Sequence, residues 1–528
     1  MREFWNGFSS FLGMARNFEA DARTAEAMEY QRMARRRALM IEQRYLDEEA
    51  SGDLGDARLG DLQDAQDANL LDPAGLYTGV LDGEMLFLNS DGHHLVYGRA
   101  GSGKGVTSAQ PNLAHYTESM FVTDLKDGEL HYSSAEHRAE TLGHDVYTLD
   151  PWGIRGRSAQ ANPLHRLGQI VAAGRLIDDE ADEITLILLP KGKGEGGENG
   201  WVRKGARRLI AARMKYLAYT DHNRLTLSEL WRFINCSDAD LEASFDEMIH
   251  CGFEDVAGAS AVMASVFKEA PKQFESYRAE SIDALAAFSP GSALARATMG
   301  NDIDFGQMKH KPITVYLCVP SSKLGVAAPW IAMILNHAIE QIAATTGPNK
   351  TRFLIDEFAQ LPAPIPAVMK ALRLYRGRGI LLSMYCQGRF SLRDAGYSEA
   401  AIKEIEDQAA CLQMWGVEDP SLLKDIEYWS GNTSIVQVRP SHSGGAVASA
   451  SLGRNEVKRP VLQAEDIRRI GDGQQIIKLP GFPLFVTDRI PYWQVTPWKS
   501  QLRDVRDLHF GTSSENQVSP PHHPTTEE

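Results

Sequence analysis

Two short segments of this chain bring together residue types that hold and cleave phosphate esters. The first is GRAGSGKG, residues 98 to 105, in which Gly98, Gly103 and Lys104 fit a Gly-x4-Gly-Lys pattern directly behind the apolar run LVY. Glycines let successive backbone N–H groups converge on phosphate oxygens. The start of a following helix adds positive partial charge, and Lys104 has the reach to bridge β- and γ-phosphates. The nucleotide-binding loop would then consist of Gly98, Arg99, Ala100, Gly101, Ser102, Gly103, Lys104, Gly105 and Val106. Position 105 is glycine where Ser or Thr would ordinarily ligate Mg2+, so the hydroxyl for a metal would have to come from Thr107 or Ser102. Taken alone, the segment is equally a glycine turn with no chemical role.

The second segment is FLIDEFAQL, residues 353 to 361, where hydrophobic residues run straight into Asp356 and Glu357. It reads as a buried strand ending in paired carboxylates. In a phosphate-loop ATPase the first carboxylate holds Mg2+ through water, and the second polarises the water that attacks the γ-phosphate. By itself the pair is also compatible with two solvated acids; coupled to the glycine loop it favours ATP hydrolysis. Downstream lie the basic run RLYRGRG, with Arg373, Arg376 and Arg378, and the strand GILLSMYCQG, ending in Gln387. Arg376 or Arg378, presented to a neighbouring subunit's nucleotide, would stabilise transition-state charge. Gln387, at the C-terminal end of a strand, would face the crevice where α/β folds bind ligands. For each arginine a solvated surface role is the alternative.

Short apolar runs between Met85 and Pro163 (HHLVYG, SMFVTDL, DVYTLDP) alternate with helical or loop segments, the pattern of a parallel sheet. Strands resume between Ile313 and Gly416 with ITVYLCVP, TRFLIDE, GILLSMYC and ACLQMWG. The stretch between has helical periodicity, as if a helical domain were inserted into one nucleotide-binding sheet. The division expected is an N-terminal charged helical arm and linker (1–72), the first part of the nucleotide-binding domain (73–175), an all-α insert (176–305), its second part (306–500) and a disordered tail (501–528). The glycine-rich stretch 191–200 should be a mobile loop.

The 528 residues are 43% hydrophobic and 24% charged, an ordinary globular balance with room for a large core. Lys and Arg number 55 against 70 Asp and Glu, and a net charge of −15 excludes a surface that coats DNA non-specifically. Contact with nucleic acid must be local. The five cysteines form no C-x-x-C pair and read as buried, reduced thiols, as suits the cytoplasm. The first residues lack the features of a secretory signal, and no run reaches the ~18 apolar residues of a spanning helix. If helical, residues 1–18 carry an aromatic face through Trp5, Phe8 and Leu12 with Phe4, Phe11 and Phe18 nearby, suited to a bilayer interface, the protein's own arm or a membrane-bound partner.

With these segments in order, the chain resembles the type IV secretion coupling proteins, the TraG-type conjugative DNA-transfer ATPases, over about residues 73 to 500. GSGKGVTSAQPNL is similar to the family's phosphate loop, where Gly often follows the Lys, and VTDLKDGEL to its second strand, here with an extra Asp127. VYTLDP, NPL, FLIDEFAQL, CQGRFSLRDAGYS and the closing segment 459–493 follow in the family's order. The resemblance implies an α/β fold with a RecA-like P-loop ATPase sheet and an inserted all-α domain, using ATP and Mg2+. It implies a homohexamer whose ring channel passes single-stranded DNA, or a relaxase–DNA complex, to a type IV secretion channel at the inner membrane. It assigns catalysis to Lys104 and Glu357, metal binding to Asp356, the glutamine role to Gln387 and a trans-acting arginine to Arg376 or Arg378. Many relatives begin with spanning helices and none is predicted here, so this chain is expected to be cytoplasmic and peripheral at that membrane. Two alternatives stay open: a recruiting adaptor that hydrolyses ATP poorly, and a coupling factor for protein effectors.

Within the insert, WVRKGARRLIAARMK (201–215) holds six basic residues beside an apolar stripe, a solvated face or a nucleic-acid contact. His93 and His94 read as ordinary strand residues, and Trp201 and Trp231 as packing residues.

Overall fold

The structure is a computed structural model that describes residues 52–191, 200–361, 365–442, 450–471 and 473–508. The N-terminal arm with its aromatic face, most of the glycine-rich loop and the tail from 509 lie outside the described residues. The chain divides into two compact units. Of the described residues, one contains those up to Met120 with Gly306–Lys311 and Ala338–Lys499; the other contains Phe121–Phe305, Pro312–His337 and those from Ser500.

The strands are β1 (Leu76–Leu81), β2 (Glu84–Leu88), β3 (His93–Gly98), β4 (Ser119–Asp124), β5 (Asp145–Leu149), β6 (Ile313–Cys318) and β7 (Thr351–Ile355). They continue with β8 (Ile380–Cys386), β9 (Ala409–Trp415), β10 (Asn432–His442), β11 (Ala450–Pro460), β12 (Gln474–Lys478) and β13 (Phe485–Asp488). In the first unit the order is β2-β1-β13-β12-β9-β3-β8-β7. From β9 to β7 the pairs are parallel, whereas β12, β13, β1 and β2 are joined antiparallel. Every residue of β3, β7 and β8 is buried, which explains their near-continuous apolar runs: a central parallel strand is covered on both faces. β10 and β11 form a separate antiparallel ribbon. In the second unit the order is β4-β6-β5, with β5 and β6 parallel.

Between β5 and β6 the longer elements are all helices, from His165–Ala172 through Gly200–Thr220 and Pro271–Leu285 to Ala293–Ala297. The helix Gly200–Thr220 buries the expected apolar stripe through Ala206, Leu209, Ile210, Met214 and Leu217. It does not present six solvated bases. Arg213 is buried over the rings of Tyr216 and Phe233, at 5.0 and 5.1 Å, and Lys215 pairs with Asp178 and Asp255. Arg207 donates to Leu189 O, while Lys204 and Arg208 are exposed. Trp201, expected to pack inside, is 45% exposed, with its ring edge against Tyr277.

Two boundaries differ from expectation. The linker assigned before Asp72 is structured from Asp56, which bridges Thr433, and Asp61 caps the helix Leu62–Asp67 from both sides of a capping box. Buried Ala65 and Leu70 make this segment part of the body. At the other end, residues 501–508 do not belong to a disordered tail: Leu502 and Leu508 are buried, and Val505–Asp507 form a 3-10 turn. Among the described residues no helix is long and apolar enough to cross a membrane.

Candidate nucleotide site

Four adjacent parallel strands, β9, β3, β8 and β7, end along one edge, with Trp415 beside Gly98, Tyr97 beside Cys386, and Ile355 beside Met384. Their C-terminal ends therefore deliver Trp415, the loop 98–106, Gln387 and the Asp356–Glu357 pair to one crevice, where parallel sheets bind ligands. Gln387 directly follows β8 and is exposed.

The loop is built on backbone that L-residues avoid. Gly101 and Gly103 have φ of 70° and 87°, and Lys104 returns to the right-handed region at −48°. A left-handed residue followed by a right-handed one turns neighbouring N–H groups toward a common point, the geometry of an anion nest. The segment Gly105–Ala109 is a turn of π-helix, and the α-helix itself runs Gln110–His115. π-turns of this kind recur at functional sites. Lys104 is buried; its Nζ donates to Gly98 O at 2.8 Å and Arg99 O at 3.3 Å and lies 3.7 Å from Glu357 Oε1. Two motifs 253 residues apart thus meet through one ammonium and one carboxylate.

Asp356 and Glu357 are 3% and 8% exposed. Glu357 has φ of 51° and ψ of 50°, a left-handed conformation at a non-glycine residue that costs about 1–2 kcal/mol. Burial raises the Cys386 thiol, helped by the Glu357 and Asp356 carboxylates and opposed by Lys104, so the end of β8 just before Gln387 lies among the charges of the site. Burial likewise raises the Tyr385 phenol, whose oxygen is 3.1 Å from Ser108 Oγ.

Of the two hydroxyls considered for a metal, Thr107 Oγ1 donates to Gly103 O at 2.9 Å. Ser102 Oγ donates to Arg99 O at 2.6 Å and accepts from Trp415 Nε1 at 2.8 Å. A buried carboxylate and a hydroxyl with lone pairs remaining are hard oxygen donors of the kind Mg2+ takes, and the nest with its lysine suits phosphate. The residues present fit a nucleoside triphosphate with its magnesium.

The outer support of the loop has no signature in the sequence. An ideal Cβ at Gly98 would stand 2.5 Å from Trp415 Cε2, so the loop's first residue is pressed on the indole. Arg489, after β13, lies 4.3 Å over the Trp415 ring, and its Nη1 donates to Ser102 O at 2.9 Å. Tryptophan and arginine thus hold Ser102 by its hydroxyl and its carbonyl. The only signal available was an Arg closing a strand in TDRIPYW, with no way to know which strand it neighboured.

The arginines separate by role. Arg373 pairs with Glu404. Arg376 and Arg378 lie in a 3-10 turn, exposed, with no ion pair among the described residues. That turn is fastened by Lys309, whose Nζ donates to Asn349 O at 2.7 Å and Arg378 O at 2.8 Å, a second support the sequence did not reveal. His93 and His94 are buried in β3: Leu382 N donates to His93 Nδ1, and His94 Nε2 meets Gln413 Oε1.

The profile of the family "Type IV secretory system Conjugative DNA transfer" matches residues 47–517. The conjugal transfer protein TraG of Escherichia coli is 25% identical over 465 residues, covering 79% of this chain and 71% of that one. VirD4 of Agrobacterium fabrum is 22% identical over 419 residues, 76% of this chain and 58% of the relative. Among solved structures, the conjugative coupling protein TrwB lacking its first 70 residues superposes with a TM-score of 0.60 at 16% identity, covering 82% and 92% of the two chains. TrwB in complex with ADPNP, and with ADP and Mg2+, each gives 0.59. The fold is that of TrwB, an α/β, RecA-like core, and the chain belongs to the type IV secretory system conjugative DNA-transfer family of coupling proteins.

Proposed function

We propose that the protein is an ATP-hydrolysing coupling protein that recruits DNA, or a relaxase–DNA complex, and drives it to a type IV secretion channel. The observation carrying the hydrolysis is the meeting of Lys104 with Glu357 at the strand edge, 3.7 Å between Nζ and Oε1. In this reading the loop amides and Lys104 bind the phosphates and Asp356, with Thr107, holds Mg2+, whose charge offsets that developing on the phosphates when it is bound. Glu357 takes a proton from the attacking water. Its left-handed backbone aims that carboxylate, and the Lys104 ammonium lies 3.7 Å from it. Gln387, at the end of β8, orients the reacting group. Arg376 and Arg378, exposed and without an intramolecular carboxylate among the described residues, serve the nucleotide of the next subunit in a homohexamer. Asp356 and Glu357 argue against an adaptor that merely recruits, because both catalytic carboxylates are present and buried.

The test is ATP turnover by the purified chain with and without single-stranded DNA. A DNA-driven motor shows strong stimulation; DNA-independent turnover favours the effector-coupling reading, and no turnover favours the adaptor. Mixing Lys104→Ala subunits with Arg376→Ala or Arg378→Ala subunits should restore part of the activity if an arginine acts in trans. Mixed assemblies without rescue would remove that role from both.

A further inference from the structure

The turn after β4 holds two successive residues in the left-handed region, Asp127 at φ 56° and Gly128 at φ 77°. Glycine is required at 128 for space as well as for φ, since an ideal Cβ there would stand 2.4 Å from Arg155 Nε and 2.6 Å from its Cγ. The Arg155 side chain crosses this turn, and its Nε and Nη2 both donate to the Asp127 carbonyl, Nε at 3.1 Å. Its backbone N–H donates to Asp150 Oδ2 at 2.6 Å. The Asp127 carboxylate is committed elsewhere, accepting from Ser321 N at 3.1 Å and Ser321 Oγ at 2.9 Å. Arg155 is therefore held by a neutral carbonyl and forms no ion pair among the described residues. Strain at a non-glycine residue, about 1–2 kcal/mol, is characteristic of ligand clamps.

The guanidinium lies 5.6 Å from the Tyr132 ring centroid, and that of Arg503 lies 5.9 Å from the same ring while pairing with Glu136. These residues, with His131 and Gly156, line a cleft of about 470 Å3. Burial, and the two arginines after it, hold His131 down to about 4, so it is neutral at pH 7. The side chains lining the cleft thus include two guanidinium groups and one carboxylate.

We propose that this cleft is a second phosphate-ester site, which takes the phosphate of a nucleotide unit, free or in a DNA strand. Its volume exceeds what inorganic phosphate needs and is of the size that nucleotide-scale ligands occupy. Guanidinium forks match phosphate oxygens, and Tyr132 offers an aromatic edge to the sugar or base. The cleft uses none of the residues of the glycine loop, so its failure would leave the hydrolysis reading standing.

The experiment uses the full-length chain carrying Lys104→Ala, which weakens phosphate binding at the loop. Binding of a fluorescent oligothymidylate and of a fluorescent ADP is measured by anisotropy across salt concentration, with and without Arg155→Gln. Arg503→Gln, a change at an exposed side chain, is the second variant in case Arg155→Gln unfolds the protein. The expected result is a roughly tenfold weakening of one probe; for the oligonucleotide, the salt slope should also fall by about one. Loss confined to the oligonucleotide identifies a strand phosphate, and loss confined to ADP a free nucleotide. Unchanged binding of both probes in folded variants overturns the proposal.

Discussion

The glycine loop and the turn after β7 solve the same geometric problem in opposite ways. Each must reverse the chain at the end of a buried parallel strand, and each uses left-handed backbone. The loop places glycine there, at 101 and 103, where positive φ is nearly free and bare amides are what phosphate needs. The turn places Glu357 there and bears the strain. The difference teaches what each position is for: the loop works through its main chain and the turn through a side chain that glycine would not supply. Asp127 repeats the second solution after β4, where its carboxylate holds Ser321 and its carbonyl holds Arg155.

The largest expected effects come from removing either half of the pair. Lys104→Ala should reduce turnover to a small residual rate and weaken nucleotide binding, because it removes a phosphate contact. Glu357→Gln should lower kcat on the order of 10²–10⁴-fold while leaving nucleotide bound, because only water activation is lost. Equal loss of binding in both variants would mean that loop and turn are not divided as described.

A smaller effect is expected at the loop's outer support. Arg489→Ala removes a charge-assisted hydrogen bond to Ser102 O and should lower kcat/KM about tenfold, with Arg489→Lys recovering part of it. Wild-type kinetics in Arg489→Ala would show that the loop holds its shape unaided.

The strand behind the loop carries a pH signature. Burial holds His93 down to about 4 and His94 to about 3, against an ordinary value of 6.5. Below pH 6.5 the unfolded chain binds protons that the folded chain refuses, so the stability is complete above 6.5 and falls on acidification toward 4. At pH 5 each histidine should cost about 2 kcal/mol. Thermal midpoints should decline steadily from pH 7 to 5, less so in His94→Gln; a flat profile would contradict the burial of neutral imidazoles.

The smallest effect isolates the backbone of the turn. Glu357→Gly and Glu357→Ala both delete the carboxylate, yet the glycine variant should be the more stable by about 1 kcal/mol, read as a higher denaturation midpoint. Equal midpoints would remove the strain argument.

The site was legible because its parts are local: a glycine pattern behind an apolar run, and two acids ending another, each confined to fewer than about ten residues. Their meeting was an inference from chemistry, which the parallel pairing of β3, β8 and β7 supplies physically. The antiparallel strands β12, β13, β1 and β2 set neighbours far apart in sequence, so Arg489 on Trp415 and Ser102 was beyond reach. The basic helix 200–220 misled for a related reason. Helical spacing locates the apolar stripe, but the aromatic rings that bury Arg213 and the acids that bind Lys215 come partly from other helices.

The central claim is that Lys104 and Glu357 belong to one catalytic unit, and a double-mutant cycle tests it most directly. ATP turnover is measured for Lys104→Ala, Glu357→Gln and the double variant, at saturating nucleotide and above the assay's background. Residues that act together lose their contribution once, so the double variant should be no slower than the slower single one. Losses that multiply would contradict the account, placing the two residues in independent roles.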